Sequence, residues 1–167
     1  MESEEIEGAS PNEIMLAACR NDQDDLLEDL LKTGKVDLTF TDAIGNTALH
    51  YAAKYGALSC LELLADEPGI NPNAVDTVEH NAPLHEVTKY RDDSEIALAM
   101  AEILLQMEAD PRLKNREGLM PIDLVDPRDE DLSELLECAL AADTMDDDDF
   151  AQEDMNEEEV EYEESEY

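Results

Sequence analysis

Three histidines are the residues of this sequence best suited to catalysis or to metal binding. His50 and His85 each follow a leucine in a helical pattern, and His80 lies in a turn-like stretch just before His85. A catalytic or metal-binding histidine needs a nucleophile, a carboxylate pair or a second ligand at a matching spacing. No such partner accompanies these histidines, and no glycine-rich phosphate-binding loop occurs. The sequence therefore predicts no enzymatic activity, no metal site and no cofactor.

The three cysteines form no recognisable chemical motif either. Cys19, Cys60 and Cys138 lie in separate helical patterns, without a CxxC pair or a histidine at ligand spacing. This arrangement disfavours both a zinc site and a disulfide framework. We expect three reduced, buried thiols in a reducing compartment.

Acidic residues dominate the composition. The 167 residues include 46 Asp and Glu against 10 Lys and Arg, for a formal net charge of −36. This charge opposes direct binding to nucleic acid or to an anionic membrane and favours a basic protein partner. No apolar run approaches a membrane span of about 20 residues, and the N-terminus is acidic where a targeting peptide is basic. We expect a soluble protein of the cytoplasm, the nucleus or both, monomeric before it binds a client.

The charge divides the chain into three zones. Residues 143–167 carry 14 acids and no Lys or Arg, which predicts a disordered acidic tail, and residues 1–11 resemble a shorter version of it. Residues 12–142 form the predicted folded body. The tail also places aromatic residues among carboxylates, as acidic segments of histone chaperones do; the alternative is a tail that only solubilises the chain. The residues concerned are Asp146, Asp147, Asp148, Asp149, Phe150, Glu161, Tyr162 and Tyr167.

Internal repetition is the most informative feature of the body. Leu49-His50 recurs as Leu84-His85, and each pair is followed by leucines three and four positions apart. A third opening turn lies at 118–124. These residues resemble the ankyrin repeat, in which a turn leads into a T-P-L-H-x-A-A helix and then a second helix. The resemblance implies an all-α solenoid of about four helix-turn-helix repeats, at 12–41, 42–76, 77–114 and 115–142.

Individual positions fit this pattern or depart from it. Positive φ is expected at Gly45 and Gly56, with Asn21 at the position equivalent to Gly56. Thr47 is placed to cap a helix. His80 stands where the family usually has glycine. Residues 91–95 are an insertion, which either loosens the third repeat or makes a contact.

The resemblance also implies where a partner binds, because ankyrin proteins usually use the turns and the exposed face of the first helices. Tyr51 is as much a candidate for the core as for this surface, whereas Tyr55 and Tyr90 are expected to be exposed. The predicted partner-binding residues are Ile44, Asn46, Tyr51, Lys54, Tyr55, Val78, His80, Asn81, Glu86, Tyr90, Glu117 and Leu119.

Two functions compete at this point. The first is a dedicated chaperone or escort of a highly basic client, such as a ribosomal protein or a histone, with the acidic tail shielding the client's nucleic-acid-binding surface. The layout is similar to that of small fungal ankyrin proteins that chaperone a ribosomal protein. The second is a scaffold or inhibitor that docks an enzyme or a complex subunit, with a tail that only solubilises. The fold alone does not choose between them.

Overall fold

The computed structural model describes the backbone of residues 10–151 and the side chains of residues 10–142. Within this part of the chain there are seven α-helices, one 3₁₀ helix and no strand, so the all-α prediction is confirmed. The helices are α1 (Pro11–Arg20), α2 (Asp24–Thr33), α3 (Ala48–Tyr55), α4 (Leu58–Ala65), α5 (Pro83–Lys89), α6 (Ser94–Gln106), the 3₁₀ helix (Pro121–Leu124) and α7 (Glu130–Ala151).

Successive helices pair into four helix-turn-helix units that stack side by side. The first helices, α1, α3, α5 and the 3₁₀ helix, pack on one another in chain order and form an inner layer. The second helices, α2, α4, α6 and α7, do the same and form an outer layer. Each unit therefore contacts its neighbours, as expected of a repeat solenoid.

Small and large apolar side chains share the core between the layers. Ala52 and Ala53 are fully buried, which lets the inner helices approach closely. Leu61 and Leu64 of α4 are also fully buried, on one stripe of the outer helix. One unit alone has too few such residues to cover this stripe, so stacking supplies the core.

The ends of the helices follow the sequence signals in most places. The Thr47 side chain caps α3, and Pro83 occupies the first turn of α5. Gly56 ends α3 with φ +70°. Asn21 does not adopt the left-handed conformation predicted for it: its φ is −100°, and the next residue, Asp22, takes φ +54° instead. An aspartate tolerates this region better than most residues with a side chain.

The inserted residues after α5 make a contact. The Arg91 guanidinium lies 3.1 Å from an oxygen of Asp126 and donates a hydrogen bond to the Leu124 carbonyl at 2.9 Å. The insertion therefore ties the third repeat to the fourth, whose first helix is only the short 3₁₀ helix.

The last helix differs from the prediction in two ways. It continues through residues 143–151, so the predicted boundary between body and tail at 142 falls inside α7. Cys138, on this helix, is exposed, whereas Cys19 and Cys60 are buried as expected. Cys138 lies on the solvent side of an outer helix, away from the stripe formed by Leu132 and Leu136. The predicted N-terminal segment at 1–9 and the tail at 152–167 lie outside the described residues.

Candidate functional surface

Three turns connect the repeats and project beside the inner helices. We call them fingers 1, 2 and 3, at residues 42–46, 76–81 and 115–119. Each begins with a side chain that holds its own turn closed. Asp42 accepts a hydrogen bond from the backbone N–H of Asn46 at 2.9 Å, and Asp76 accepts one from that of Asn81 at 2.8 Å. Asn115 accepts one from Leu119 at 3.0 Å. The turns are thus closed by their first residues, which fixes what they present to solvent.

The fingers are also bonded to one another. The Thr77 N–H donates to the Ile44 carbonyl at 2.8 Å, and the Arg116 N–H donates to the Glu79 carbonyl at 2.8 Å. The side-chain amide of Asn115 donates to Asn81 at 3.0 Å. Because each finger is tied to the next, the row of fingers is a single preorganised edge, the kind of surface that loses little entropy on binding.

Both buried histidines connect one repeat to the next. The Thr47 N–H donates to Nδ1 of His50 at 3.1 Å, so Nε2 carries the proton and donates to the Asn81 carbonyl at 2.8 Å. His85 does the same, accepting from Ala82 at 3.0 Å and donating to Leu119 at 2.9 Å. Burial lowers the pKa of both histidines below the ordinary value of 6.5, which keeps them neutral. His50 and His85 therefore have a structural role.

Exposed apolar side chains concentrate on the fingers and on α3. Among the described residues, the large hydrophobic side chains with the highest exposure are Val78 at 54%, Tyr55 at 49%, Ile44 at 42% and Val75 at 39%. Three of them were predicted as partner-binding residues. Val75 was not predicted. Its place beside finger 2, as a β-branched apolar residue next to polar ones, could have indicated that it is exposed. We call the fingers together with the exposed side of the inner helices the finger face.

A tyrosine pair forms the centre of the second repeat on this face. The Tyr51 hydroxyl donates to Oδ2 of Asp42 at 2.7 Å, and its ring stacks on Tyr55 with centroids 6.2 Å apart. Burial raises the pKa of Tyr51 to about 12, with the hydrogen bond to Asp42 as a further cause. Burial alone would raise the pKa of Asp42, but hydrogen bonds from Tyr51 and Asn46 lower it. Tyr51 is therefore half-buried and structural, while Tyr55 is available for contact.

An open cleft lies beside this tyrosine pair, between the first and second repeats. Its volume is about 350 Å³. Apolar atoms from Leu16 and Phe40 meet the charged groups of Glu13 and Arg20 in its walls, and Tyr51 forms one side. This mixture suits a protein side chain better than a small apolar ligand, which prefers a mostly apolar, enclosed pocket.

Charge separates the two layers. The helices of the outer layer, taken over the residues with described side chains, carry 11 acids and one base, Lys32. The helices of the inner layer carry three acids and three bases, and the bases are Arg20, Lys54 and Lys89. Each base lies in the last turn of its helix, where a cation is favoured by the helix dipole. The charged residues of the outer helices are thus almost all acidic, whereas acids and bases balance in the inner helices.

The predicted exposure is wrong for three of the partner-binding residues. Asn46, Asn81 and Glu86 are 7%, 1% and 4% exposed. The two asparagines are buried because they belong to the hydrogen-bond network of the fingers. Tyr90 is only partly exposed, since its ring covers Gly56 of the preceding repeat.

The other predicted residues lie where expected. Ile44, Lys54, Tyr55, Val78, His80 and Glu117 are exposed, and Tyr51 and Leu119 are intermediate. His80 has φ +58°, consistent with its place at a glycine position. The backbone of Asp146, Asp147, Asp148, Asp149 and Phe150 belongs to α7, and Glu161, Tyr162 and Tyr167 lie outside the described residues.

Two further observations bear on possible ligands. Within residues 10–142, no group of three or more His, Cys, Asp or Glu side chains is placed to hold a metal ion. None of the helices described has the length and apolar character needed to span a membrane.

Comparison with known proteins relates this chain to proteins with ankyrin repeats. The family model described as ankyrin repeats (3 copies) matches residues 14–115. The ankyrin repeat-containing protein YGL242C of Saccharomyces cerevisiae is 33% identical over 141 residues, which cover 78% of this chain and 77% of the yeast protein. Human ankyrin repeat domain-containing protein 53 is 37% identical over 86 residues, 50% of this chain but 16% of the human protein. Drosophila melanogaster E3 ubiquitin-protein ligase Ufd4 is 27% identical over 109 residues, which are 4% of its length.

Proposed function

Because the chain belongs to the ankyrin-repeat family and is a protein-binding module, we propose that it acts as a dedicated chaperone or escort of a highly basic client, of the class of ribosomal proteins or histones. The finger face recognises an element of the client. The acidic tail, residues 143–167, shields the client's nucleic-acid-binding surface as a polyanion. The proposal places the protein in the cytoplasm, the nucleus or both.

The observation that carries this proposal is an exposed apolar edge on a protein of extreme negative charge. Ile44 and Val78 are exposed on fingers 1 and 2, Val75 is exposed beside finger 2, and Tyr55 is exposed on the adjoining helix α3. Apolar and aromatic side chains in a preorganised surface are the usual anchors of an interface. A net charge of −36 attracts basic proteins over long range and speeds their association. Together these features fit a basic protein with an apolar contact surface.

The cations of the inner layer favour the second candidate, a scaffold or inhibitor that docks an enzyme or a complex subunit. Arg20 and Lys54 are exposed on the finger face, and no described residue forms an ion pair with either. A neutral or acidic partner would fit these two side chains better than a basic one. The two candidates therefore differ in the charge of the partner and in the role of the tail.

Affinity purification at two salt concentrations separates these candidates. The full chain and a version ending at Ala151, which keeps all of α7, are used as baits in a native lysate. If the protein is a chaperone, both baits should retain one strongly basic protein. The shorter bait should retain less of it, the retained protein should aggregate more readily, and rising salt should release it from both baits. If the main partner is neutral or acidic and both baits hold it equally at high salt, the chaperone proposal is wrong and the scaffold or inhibitor function takes its place.

A further inference from the structure

The second and third repeats differ at one pair of positions on the finger face. In the second repeat, Tyr51 follows the buried histidine, and Asp42 begins the finger. In the third, Glu86 follows the buried histidine, and Asp76 begins the finger. The third repeat therefore has two carboxylates where the second has a carboxylate and a phenol.

Hydrogen bonding of these pairs differs accordingly. In the second repeat, Oδ2 of Asp42 accepts from the Tyr51 hydroxyl at 2.7 Å and from the Asn46 amide at 3.3 Å. In the third, Oδ1 of Asp76 accepts from the Asn81 N–H at 2.8 Å. Among the described residues, no donor reaches the carboxylate of Glu86 or the second oxygen of Asp76.

Burial makes this lack of donors unusual. Glu86 is 4% exposed and Asp76 is 5% exposed. A buried carboxylate is normally paired or hydrogen-bonded, because losing its hydration is costly. Both carboxylates act on the buried histidines: Glu86 and Asp76 each favour the charged form of His50 and of His85. Both carboxylates therefore lie near the histidines that join the second, third and fourth repeats, and the equivalent side chains of the second repeat, Asp42 and Tyr51, are in direct contact at 2.7 Å.

The positively charged groups nearby are already engaged or lie elsewhere. Lys89, one turn further along α5, lies 3.3 Å from Glu79. Arg116 of finger 3 donates to the carbonyls of Val78 and Thr77. His50 and His85 have lowered pKa values and remain neutral. The carboxylates of Glu86 and Asp76 thus have free acceptor oxygens, and no cation of the described part of the chain pairs with them.

We propose that Glu86 and Asp76 form a subsite for one Lys or Arg side chain of the basic client. An ammonium group brings three donors and a guanidinium five, which matches the unfilled oxygens of this pair. Tyr51, at the position equivalent to Glu86, is partly open to the finger face. In this proposal the client's side chain enters the third repeat from the same face, and Glu86 turns to meet it, a rotamer change of the kind common at interfaces.

This inference rests on the proposed function, since it assigns a place to one residue of the basic client. It also has a consequence for the free protein. A carboxylate that is buried without donors is a cost to folding, so neutralising Glu86 stabilises the unbound chain while weakening binding. A carboxylate with an unseen internal partner would behave in the opposite way.

Two measurements on the full chain test the subsite. The first compares the thermal midpoint of Glu86→Gln and Glu86→Tyr with that of Glu117→Gln, an exposed finger-face glutamate with the same change in charge. Glu86→Tyr copies the second repeat and guards against misfolding of the glutamine variant. We expect a raised midpoint for both Glu86 variants relative to Glu117→Gln. A lowered midpoint in both would show an internal partner and overturn the proposal.

The second measurement uses N-acetyl-argininamide as the probe and the imidazole NMR signals of His50 and His85 as reporters. We expect a saturable shift of these signals in the wild type and in Glu117→Gln, and its loss in Glu86→Gln. An equal response in Glu86→Gln, or no response in the wild type, would overturn the subsite. Neither result depends on the lysate experiment, so failure here leaves the proposed function standing.

Discussion

The inner and outer layers of the repeats differ in how they are held together and in what they show to solvent. Polar groups specify the inner layer: His50 and His85 bridge successive repeats, and the fingers bond to one another. The outer layer is held by leucine packing, and the charged residues of its helices are almost entirely acidic. Hydrogen bonds fix orientation more narrowly than apolar contact, so the inner layer has the fixed geometry that recognition needs. The outer layer supplies core and charge.

The largest expected effect comes from the apolar side of this comparison. Leu61 of α4 is fully buried, so Leu61→Ala removes buried methyl groups and leaves a cavity. We expect a loss of about 3 kcal/mol in the free energy of unfolding, measured by urea denaturation. Glu62→Gln, on the exposed side of the same helix, is the control and should change stability by less than about 0.5 kcal/mol. Comparable losses in both variants would contradict the division of roles within the outer layer.

A somewhat smaller loss is expected from the polar bridge. His50→Ala leaves the Thr47 N–H without its acceptor and removes the bond to Asn81. We expect the free energy of unfolding to fall by about 2 kcal/mol, because a donor is left unpaired and a connection between repeats is lost. Urea denaturation measures this loss. His80→Ala, at an exposed finger position, is the matched histidine control. A result for His50→Ala no larger than that for His80→Ala would remove the bridging role.

Packing between the inner helices is probed by two glycines with the same backbone conformation. Gly34 has φ +69° and open space around it, whereas a methyl group built at Gly56, φ +70°, would overlap the Tyr90 ring. Gly34→Ala should cost about 1 kcal/mol for the left-handed conformation alone. Gly56→Ala should cost about 2 kcal/mol because the overlap with the Tyr90 ring adds to the backbone cost, and in a Tyr90→Ala background the costs at Gly56 and Gly34 should become more similar. Equal costs, measured by denaturation, would mean that Tyr90 moves away freely.

The smallest effect is the pH dependence of the histidine bridges. Burial lowers the pKa of His50 and His85 in the folded state, so their stabilisation is complete above the unfolded value of about 6.5. As pH falls below that value, the unfolded chain binds protons that the folded chain does not, and stability is lost. The difference in unfolding free energy between the wild type and His50→Gln should therefore narrow between pH 7 and pH 5.5. A constant difference would contradict the neutral, buried assignment.

Features of the inner layer were predictable where the backbone leaves few alternatives. The left-handed glycines, the Thr47 cap and the bridging histidines each occupy positions where a particular residue type is needed. The exposure of polar residues on finger 2 and on α5 was not predictable in the same way. Asn81 and Glu86 are polar by type, but whether they face solvent depends on the neighbouring repeat, which sequence spacing does not fix.

The extent of α7 was missed for a different reason. The sequence from 143 onward was interpreted by its charge, which favours disorder. Residues 130–142 are rich in Ala, Leu and Glu, which are good helix formers, and the helix that they begin continues to Ala151 although residues 143–151 include five Asp, a poorer helix former. The contact between Arg91 and Asp126 joins residues far apart in the sequence, and no local pattern predicts it.

Quantitative affinity purification with variants of the finger face tests the proposed binding of a basic client. Ile44→Ser combined with Val78→Ser removes two of its exposed apolar side chains without changing the charge. Ala141→Ser combined with Ala142→Ser, at exposed positions of α7, is a control of unchanged charge away from the fingers. We expect one strongly basic protein to be retained by the wild type and the control and to be strongly depleted on the finger variant. Equal retention by all three baits, or a main partner that is not basic, would contradict it.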